Sequence, residues 1–556
     1  MSDLTKRLSG LNPFSSSNPE KRRESEDDDK GEEIDATTVA GGGHGGRTSE
    51  ITKNQLRVSQ ALRSFLVDRM VLSEAEAGLD ADDDGRPSTA ALKALLEQSH
   101  IRVPAALMDR SRPLPEYFVS SSHNTYLLAH QLFGASCATA YETALNTGSR
   151  CVEIDAWDNP DDRAEPKVTH GYTLVSNIPF RLVCETIRDV VDREAAAAAA
   201  EGDRQGYQAA PILLSLENHC DAEGQQRLVD IMLEVFGDRL LSEPVRAAAA
   251  AGAGEPGYGD HVRLEELGSK VVVMVEYHFA GERADDSDSD SDTSSDDEEE
   301  RRARREYKRK REETAAANSI VIPALAGLGV YAQSVKPQNN SWFEDAAALA
   351  EPALPHHHLI NVSESGLARL LPDAARNVSA HNAHHLMRVY PKGTRISSRN
   401  LQPRQFWAVG AQVCALNWQT FGAAMQINEA LFSGTDGFPY LTCTLVHPDG
   451  ETKRKTRPYR RHRLTGFLRP GRESPDPTDP MWDETLEWEY DDDELVFLRL
   501  LVKSDDAFAR NPVFAVAAMR LLYVPEDAGW SFIRMLDLKG HETRCALLVK
   551  MEILDR

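Results

Sequence analysis

His123 and His170 are two imidazoles set among four hard oxygen donors, Asn124, Glu153, Asp155 and Glu217. Three of those donors are ionised carboxylates. Such a set suits a hard divalent cation, and calcium tolerates an irregular oxygen shell better than magnesium, which demands near-octahedral geometry. A cation flanked by two imidazoles fits phosphoryl transfer. The metal stabilises charge on phosphate oxygens and lowers the pKa of a coordinated hydroxyl, while imidazole gives and takes protons near neutral pH.

The donors come in four blocks: Ser120-Ser121-Ser122-His123-Asn124-Thr125-Tyr126, Cys151-Val152-Glu153-Ile154-Asp155-Ala156-Trp157-Asp158, Thr169-His170-Gly171-Tyr172-Thr173-Leu174 and Leu214-Ser215-Leu216-Glu217-Asn218-His219-Cys220. Each is a short apolar or β-branched run that ends in a polar cluster. Barrel strands present catalytic side chains in this way, at their C-terminal mouth. A single Glu at a strand end is ordinarily a solvated residue; the four blocks together are far more specific than any one of them.

Those blocks resemble the X box of eukaryotic phosphoinositide-specific phospholipase C, of the short fungal kind. Further along, Trp342-Phe343, Asn361-Val362-Ser363-Glu364-Ser365, Leu386-Met387-Arg388-Val389-Tyr390-Pro391-Lys392-Gly393, Phe406-Trp407 and Gly410 to Thr420 resemble the Y box and are expected to supply the remaining strands. The resemblance implies an α/β fold, a TIM-barrel catalytic domain split into X and Y halves. It also implies an N-terminal helical EF-hand remnant and a C-terminal all-β C2-like sandwich. The expected divisions are a disordered tail over 1–50, the helical remnant over 51–110, the X half over 111–280, an acidic and basic linker over 281–318, the Y half over 319–437 and the C2-like region over 438–556.

Composition is consistent with this organisation. The 556 residues suffice for two or three cores, and 63 basic against 88 acidic residues give a net charge of −25, which excludes a general nucleic-acid binder. Seven scattered cysteines fit a reducing compartment. The first residues lack an apolar signal core, and no run approaches the roughly 18 to 20 apolar residues of a membrane span. The expectation is a cytoplasmic monomer that reaches phosphoinositides peripherally at the inner leaflet.

Along the chain, Leu56, Val58, Ala61, Leu62, Phe65, Leu66 and Met70 recur at helical spacing, and Ala90, Leu92, Leu95 and Leu96 predict a second helix. Between them Asp80-Ala81-Asp82-Asp83-Asp84-Gly85 imitates a calcium loop. Its twelfth position is Ala91 rather than a bidentate Glu, so calcium binding is not expected there. Leu114 to Ser120 is expected as the first barrel strand, with a helix after it carrying Leu127, Leu128, Ala138, Tyr141, Ala144 and Leu145. Phe180 to Val191 predicts a helix ahead of an inserted alanine tract, Ala195 to Ala200. Ile212 to Leu216 and Val271 to Val275 read as fully buried strands. Asp285 to Glu300 is a carboxylate run answered by basic residues up to Arg311, and the resemblance makes it a linker hanging over the site. From Leu441 the pattern is β: Leu441 to Val446, Met481 to Glu489, Leu495 to Lys503, Val513 to Val524 and Cys545 to Ile553. Only Asp505 and Asp506 remain of the acidic loops that hold calcium in C2 domains.

The resemblance implies calcium-dependent cleavage of the bond between diacylglycerol and the inositol phosphate, in lipid signalling. Asn124, Glu153, Asp155 and Glu217 would hold Ca2+, and Glu153 or Glu217 would take the proton of the inositol 2-hydroxyl as it attacks phosphorus. His170 would protonate the leaving diacylglycerol oxygen, and His123 with Asn124 would stabilise the five-coordinate phosphorus. Water would then open the cyclic phosphate. Arg388, Tyr390 and Asn361 would bind the head group. Two lysines that the family uses for ring phosphates are replaced by Met274 and Glu276, and a serine by Asn361. That exchange points to phosphatidylinositol or a monophosphorylated form over the 4,5-bisphosphate. The alternative is a catalytically weakened lipid-binding or scaffold protein derived from the same family.

Overall fold

The computed structural model describes residues 57–79, 89–128, 131, 135–171, 175–201, 210–245, 262–276, 321–334, 358–393, 395, 398–432, 442–447, 450–456, 480–491, 493–503, 513–526 and 528–554. The calcium-loop imitation, the carboxylate run, Trp342-Phe343 and Asp505-Asp506 lie outside them.

The helices α1 (Gln60–Asp68) and α2 (Ala90–Glu97) come first, with a single helical turn, Glu74–Ala77, between them. Each is capped by a hydroxyl that accepts from the backbone three residues on, Ser59 from Leu62 and Thr89 from Leu92. The barrel then begins with β1 (Val119–His123), preceded by a single 3-10 turn at Leu114–Glu116 where a longer strand was expected. Pro113 and Pro115 explain the difference, since neither can donate to a ladder. Leu127 and Leu128 form a small hairpin with Ala135–Ser136 and are not on the following helix, α3 (Thr139–Asn146).

Next come β2 (Cys151–Trp157), α4 (Phe180–Glu201), β3 (Ile212–His219), α5 (Ala222–Phe236) and β4 (Val271–Glu276). The alanine tract continues α4, as expected of the residue with the highest helix propensity. The second half supplies β5 (Gln333–Ser334), β6 (His358–Ser363), α6 (Glu364–Asn382), β7 (Leu386–Tyr390), β8 (Val413–Asn417) and α7 (Ala423–Phe432). Phe406 and Trp407 sit on a one-turn helix, Arg404–Trp407, rather than on a strand.

The eight strands pair in parallel in the order β1-β8-β7-β6-β5-β4-β3-β2, and Ser121 opposite Cys151 closes the ring. This is a TIM barrel. Strands buried on both faces read as near-continuous apolar runs, as in Ile212-Leu213-Leu214 and Val271-Val272-Val273. The barrel floor is filled by Val119, Cys151, Leu213, Val272, Leu359, Leu386 and Val413. Above it, register sets Glu153 level with Ser215 and Met274, and one step nearer the mouth Asp155 level with Glu217. The floor is apolar and the mouth is polar.

After the barrel, β9 (Thr442–His447), β10 (Gly450–Lys455), β11 (Phe497–Lys503), β12 (Val513–Arg520), β13 (Trp530–Leu536) and β14 (Glu542–Lys550) form one antiparallel sheet, in the order β10-β9-β11-β12-β13-β14. No second sheet completes a sandwich among the described residues. Met481 to Glu489 makes no ladder, yet Trp482, Leu486 and Trp488 pack on the sheet beside Leu500, Val502, Ile533 and Met535. The opposite face meets the barrel through Phe497, Leu501, Val516 and Leu536, which share one core with Trp407, Ile427 and Leu431. The N-terminal helices pack on this sheet as well: Leu66, Leu92 and Leu96 surround Phe532, and Phe65 meets Trp530 edge-on with ring centroids 5.2 Å apart. Among the described residues no helix is long and apolar enough to cross a membrane.

Trp407 lies where barrel and sheet join, against Phe118, Phe432 and Phe497. Truncating so large a buried side chain loses transfer energy and leaves a cavity. Trp407→Ala is therefore expected to lower stability by about 3–5 kcal/mol, and Trp407→Phe by much less, in urea denaturation followed by circular dichroism.

Candidate active site

Four strand ends and two loops converge at the mouth. β1 delivers His123 and Asn124, β2 Glu153 and Asp155, β3 Glu217 and His219, and β7 Arg388 and Tyr390, while His170 lies in the loop after β2. Asn124 adopts φ +45°, a left-handed conformation that asparagine tolerates better than most residues. Gln419, just past β8, holds it there by donating through Nε2 to the carbonyls of Asn124 and Leu127, both at 3.1 Å.

Glu153 and Arg388 form the centre. Arg388 Nη2 donates to Glu153 Oε1 at 2.7 Å, and each side chain is only 1% exposed. Glu153 Oε2 accepts the Asn124 backbone N–H at 2.7 Å and lies 3.9 Å from His123 Nε2. Burial alone would push the Glu153 carboxyl up, but the Arg388 guanidinium, with His123 and the Asn124 N–H, holds it well below the ordinary carboxylate range. Arg388 is raised in turn: burial opposes its charge, and Glu153 more than offsets this. Its Nη1 donates to Asn361 Oδ1 at 3.1 Å, and its guanidinium carbon lies 5.9 Å from the Tyr390 ring centre. The guanidinium fork expected to face a phosphate is thus occupied by Glu153 and Asn361, because a buried carboxylate needs a counter-charge.

The imidazoles are held on the same pattern. His123 Nδ1 lies 2.8 Å from Asn417 Oδ1, and Asn417 Nδ2 donates to the Arg399 carbonyl at 3.0 Å, which makes Oδ1 the acceptor. His170 Nδ1 lies 2.7 Å from the Gln131 carbonyl oxygen, which can only accept. Both neutral rings therefore carry their proton on Nδ1 and keep Nε2 as the lone-pair nitrogen. Burial depresses both. His123 is lowered despite Glu153, and His170 is pushed to about 4, with the neighbouring His123 adding to the effect.

Asp155, Glu217 and His219 bring ligand atoms within 4.8 Å of one another. Tyr126 ties this group to Asn124, its hydroxyl lying 2.6 Å from Asp155 Oδ2 and 3.1 Å from Asn124 Oδ1. The donors fit a hard divalent cation, with Asn124, Asp155 and Glu217 in place for it and Glu153 engaged one layer below. His219 is an addition that the sequence reading passed over. Its ring stacks on Trp157 at 4.1 Å. Trp157 is pinned in turn by Gly171, where a Cβ would come within 1.9 Å of the indole. Met274 is buried with its sulfur 3.9 Å from Cys151 Sγ, down toward the floor; the side chain of Glu276 lies outside the described residues.

A TIM barrel with paired imidazoles beside an acidic cation cradle is the class that fold and site define. Residues 110–277 match the description "Phosphatidylinositol-specific phospholipase C, X domain" and residues 325–441 match its Y domain, about half of the chain together. The chain belongs to the phosphatidylinositol-specific phospholipase C family. It is 37% identical over 345 residues to human 1-phosphatidylinositol 4,5-bisphosphate phosphodiesterase delta-4, covering 60% of this chain and 41% of that one. Against human delta-1 it is 28% identical over 491 residues, covering 80% and 61%. The chain thus spans about two fifths to three fifths of the length of these relatives. The crystal structure of L. pealei PLC21 shares the fold, with a TM-score of 0.58 at 20% identity over 92% of this chain and 66% of that one.

Removing one partner of a buried ion pair strands the other. Arg388→Met is expected to cost about 3–5 kcal/mol at pH 7, and the Arg388→Met/Glu153→Gln pair less, by urea denaturation. Because the folded Glu153 carboxyl is depressed below 4.5, the wild-type pair stabilises above that pH. Its contribution fades as the pH falls below it, so the gap between wild type and Arg388→Met should narrow at acid pH.

Proposed function

We propose that the protein is a calcium-dependent phosphoinositide phospholipase C that releases diacylglycerol and an inositol phosphate through a cyclic phosphate. The observation that carries this reading is the meeting of His123 and His170 with the Asp155–Glu217–His219 group, to which Tyr126 ties Asn124, at one barrel mouth. Bound in that cradle, Ca2+ would supply charge stabilisation and acidify a hydroxyl.

The chain's own residues do the rest. Glu217 is the better base: both Glu153 oxygens are engaged and its proton affinity is low, whereas the Glu217 side chain is 31% exposed beside Asp155 and His219. It takes the proton of the inositol 2-hydroxyl as that oxygen bonds to phosphorus. The bond from phosphorus to the diacylglycerol oxygen breaks, and His170 Nε2 gives that oxygen its proton. His170 is neutral in the free protein, so its proton must arrive with the anionic substrate, whose charge raises the proton affinity of a nearby imidazole. His123, protonated in the same way, donates from Nε2 to the phosphate oxygens. In the second half-reaction His170 takes a proton from water as the water oxygen bonds to phosphorus, the bond from phosphorus to the inositol 2-oxygen breaks, and Glu217 returns its proton to that oxygen.

The level above the floor that would carry a cation toward ring phosphates holds Met274, and β4 ends in Glu276. This favours phosphatidylinositol or a monophosphorylated form. Cytoplasmic residence with peripheral membrane contact, and action as a monomer, belong to the same proposal.

In mixed vesicles, calcium-dependent release of inositol phosphates is expected, falling at least about 100-fold in His170→Ala and His123→Ala; a scaffold protein would release none. Turnover of phosphatidylinositol should exceed that of the 4,5-bisphosphate, and the reverse order would overturn the head-group assignment.

A further inference from the structure

Gln131 is buried, 4% exposed, and belongs to none of the motifs that mark the site. It nevertheless bonds to three of the site's parts. Asn124 Nδ2 donates to its Oε1 at 2.8 Å. Its own Nε2 donates to Ser398 Oγ at 2.9 Å and reaches Asn417 Oδ1, the acceptor for His123, at 3.5 Å. Its backbone carbonyl takes the Nδ1 proton of His170.

Resting on the cation cradle of the proposed function, we infer that Gln131 is a positioning residue that sets which face of the Asn124 amide meets the cation. Asn417 Oδ1 accepts from His123 Nδ1, so it can only accept from Gln131 as well, and the group facing it must be the Gln131 NH2. The Gln131 amide is thereby oriented, and its oxygen is left to face Asn124. Facing an oxygen, Asn124 must present its own NH2 there, and its Oδ1 turns to the other side. On that side the Tyr126 hydroxyl bridges Oδ1 to Asp155. A flipped Asn124 would instead aim two N–H donors at a cation.

Ser398 supports the same arrangement from behind. It holds φ +54°, a conformation serine rarely adopts, and its carbonyl accepts from Thr420 Oγ1 at 2.7 Å. The strained backbone is over-determined by these contacts, and the residue that it aims its hydroxyl at is Gln131. One buried side chain thus links the cation face of Asn124 to the proton placement on His123, and its carbonyl fixes that on His170.

The test uses the full chain and terbium(III) alone, read as luminescence excited through tryptophan. Trp157→Phe identifies the signal that belongs to this site. Gln131→Leu keeps the bulk but offers Asn124 no acceptor, and it should raise the half-saturating terbium concentration about tenfold or more, the usual scale for a lost supporting contact behind a metal ligand. Gln131→Glu gives up the 3.5 Å contact with Asn417 Oδ1 but still accepts from Asn124 Nδ2 and can receive the Ser398 hydroxyl proton, so it should stay within about twofold of wild type. An unchanged Gln131→Leu overturns the inference, and so does a Gln131→Glu that loses as much as Gln131→Leu. If Gln131→Leu does not fold, Ser398→Ala should shift terbium binding about threefold in the same direction, and no shift there overturns the inference. Wild-type protein that binds terbium as expected but hydrolyses no phosphoinositide refutes the proposed function and leaves the role of Gln131 standing.

Discussion

The contact on which the rest depends joins Glu153 to Arg388 inside the barrel, across 235 residues of sequence. Desolvating a carboxylate and a guanidinium costs several kcal/mol each, and their attraction offsets this only with good geometry and further hydrogen bonds. The geometry is good, and two further hydrogen bonds support the pair, while Arg388 Nε lacks a partner among the described residues. Asn124 serves the second Glu153 oxygen, and Asn361 serves the second Arg388 amine. Because Glu153 belongs to the first half of the barrel and Arg388 to the second, the pair is also a lock between halves separated by a long, charged stretch of chain. The loop that carries Asn124 is fastened to one side of that lock, so the fold's closure and the cation cradle share a common support.

The polarity of the mouth follows from its layering. An apolar floor, a level holding the ion pair and Met274, and an upper level holding Asp155 and Glu217 form a gradient from dry to wet along the barrel axis. Groups in the middle level have their charges fixed by burial and pairing. In the upper level Glu217 is 31% exposed, while Asp155 beside it stays buried. This division sets Glu153 in the buried middle level and Glu217 nearer the solvent.

Much of this was legible in the sequence. His123, Asn124, Glu153, Asp155 and Glu217 each follow or end a short apolar run, and that local pattern places them on barrel strands or just past them; His170, expected at a strand end as well, lies instead in the loop after β2. The split barrel was likewise readable from its two sets of buried strands. Other features depend on contacts between distant segments. Gln131 follows Tyr126-Leu127-Leu128-Ala129-His130, where Leu127 and Leu128 read as residues of a helix rather than of a strand end, and Asn417 reads as one polar residue in Ala415-Leu416-Asn417-Trp418. His219 was quoted within its block, but nothing there marks it as a neighbour of Asp155, since only the register of β2 with β3 sets Trp157 opposite it. Phe406 and Trp407 looked like strand residues because two adjacent aromatics do not reveal a period. Met481 to Glu489 alternates as a strand would, yet its side chains cover the sheet with no ladder formed.

The seating of α1 and α2 on β13 has a consequence for biosynthesis. Leu66, Leu92 and Leu96 find their partner Phe532 more than 400 residues later in the chain, so a ribosome adding about 5–20 residues per second exposes that apolar face for on the order of half a minute before anything native can cover it. The barrel between them must close in the interval. The apolar face of α1 and α2 therefore lacks its native cover until β13 has been made.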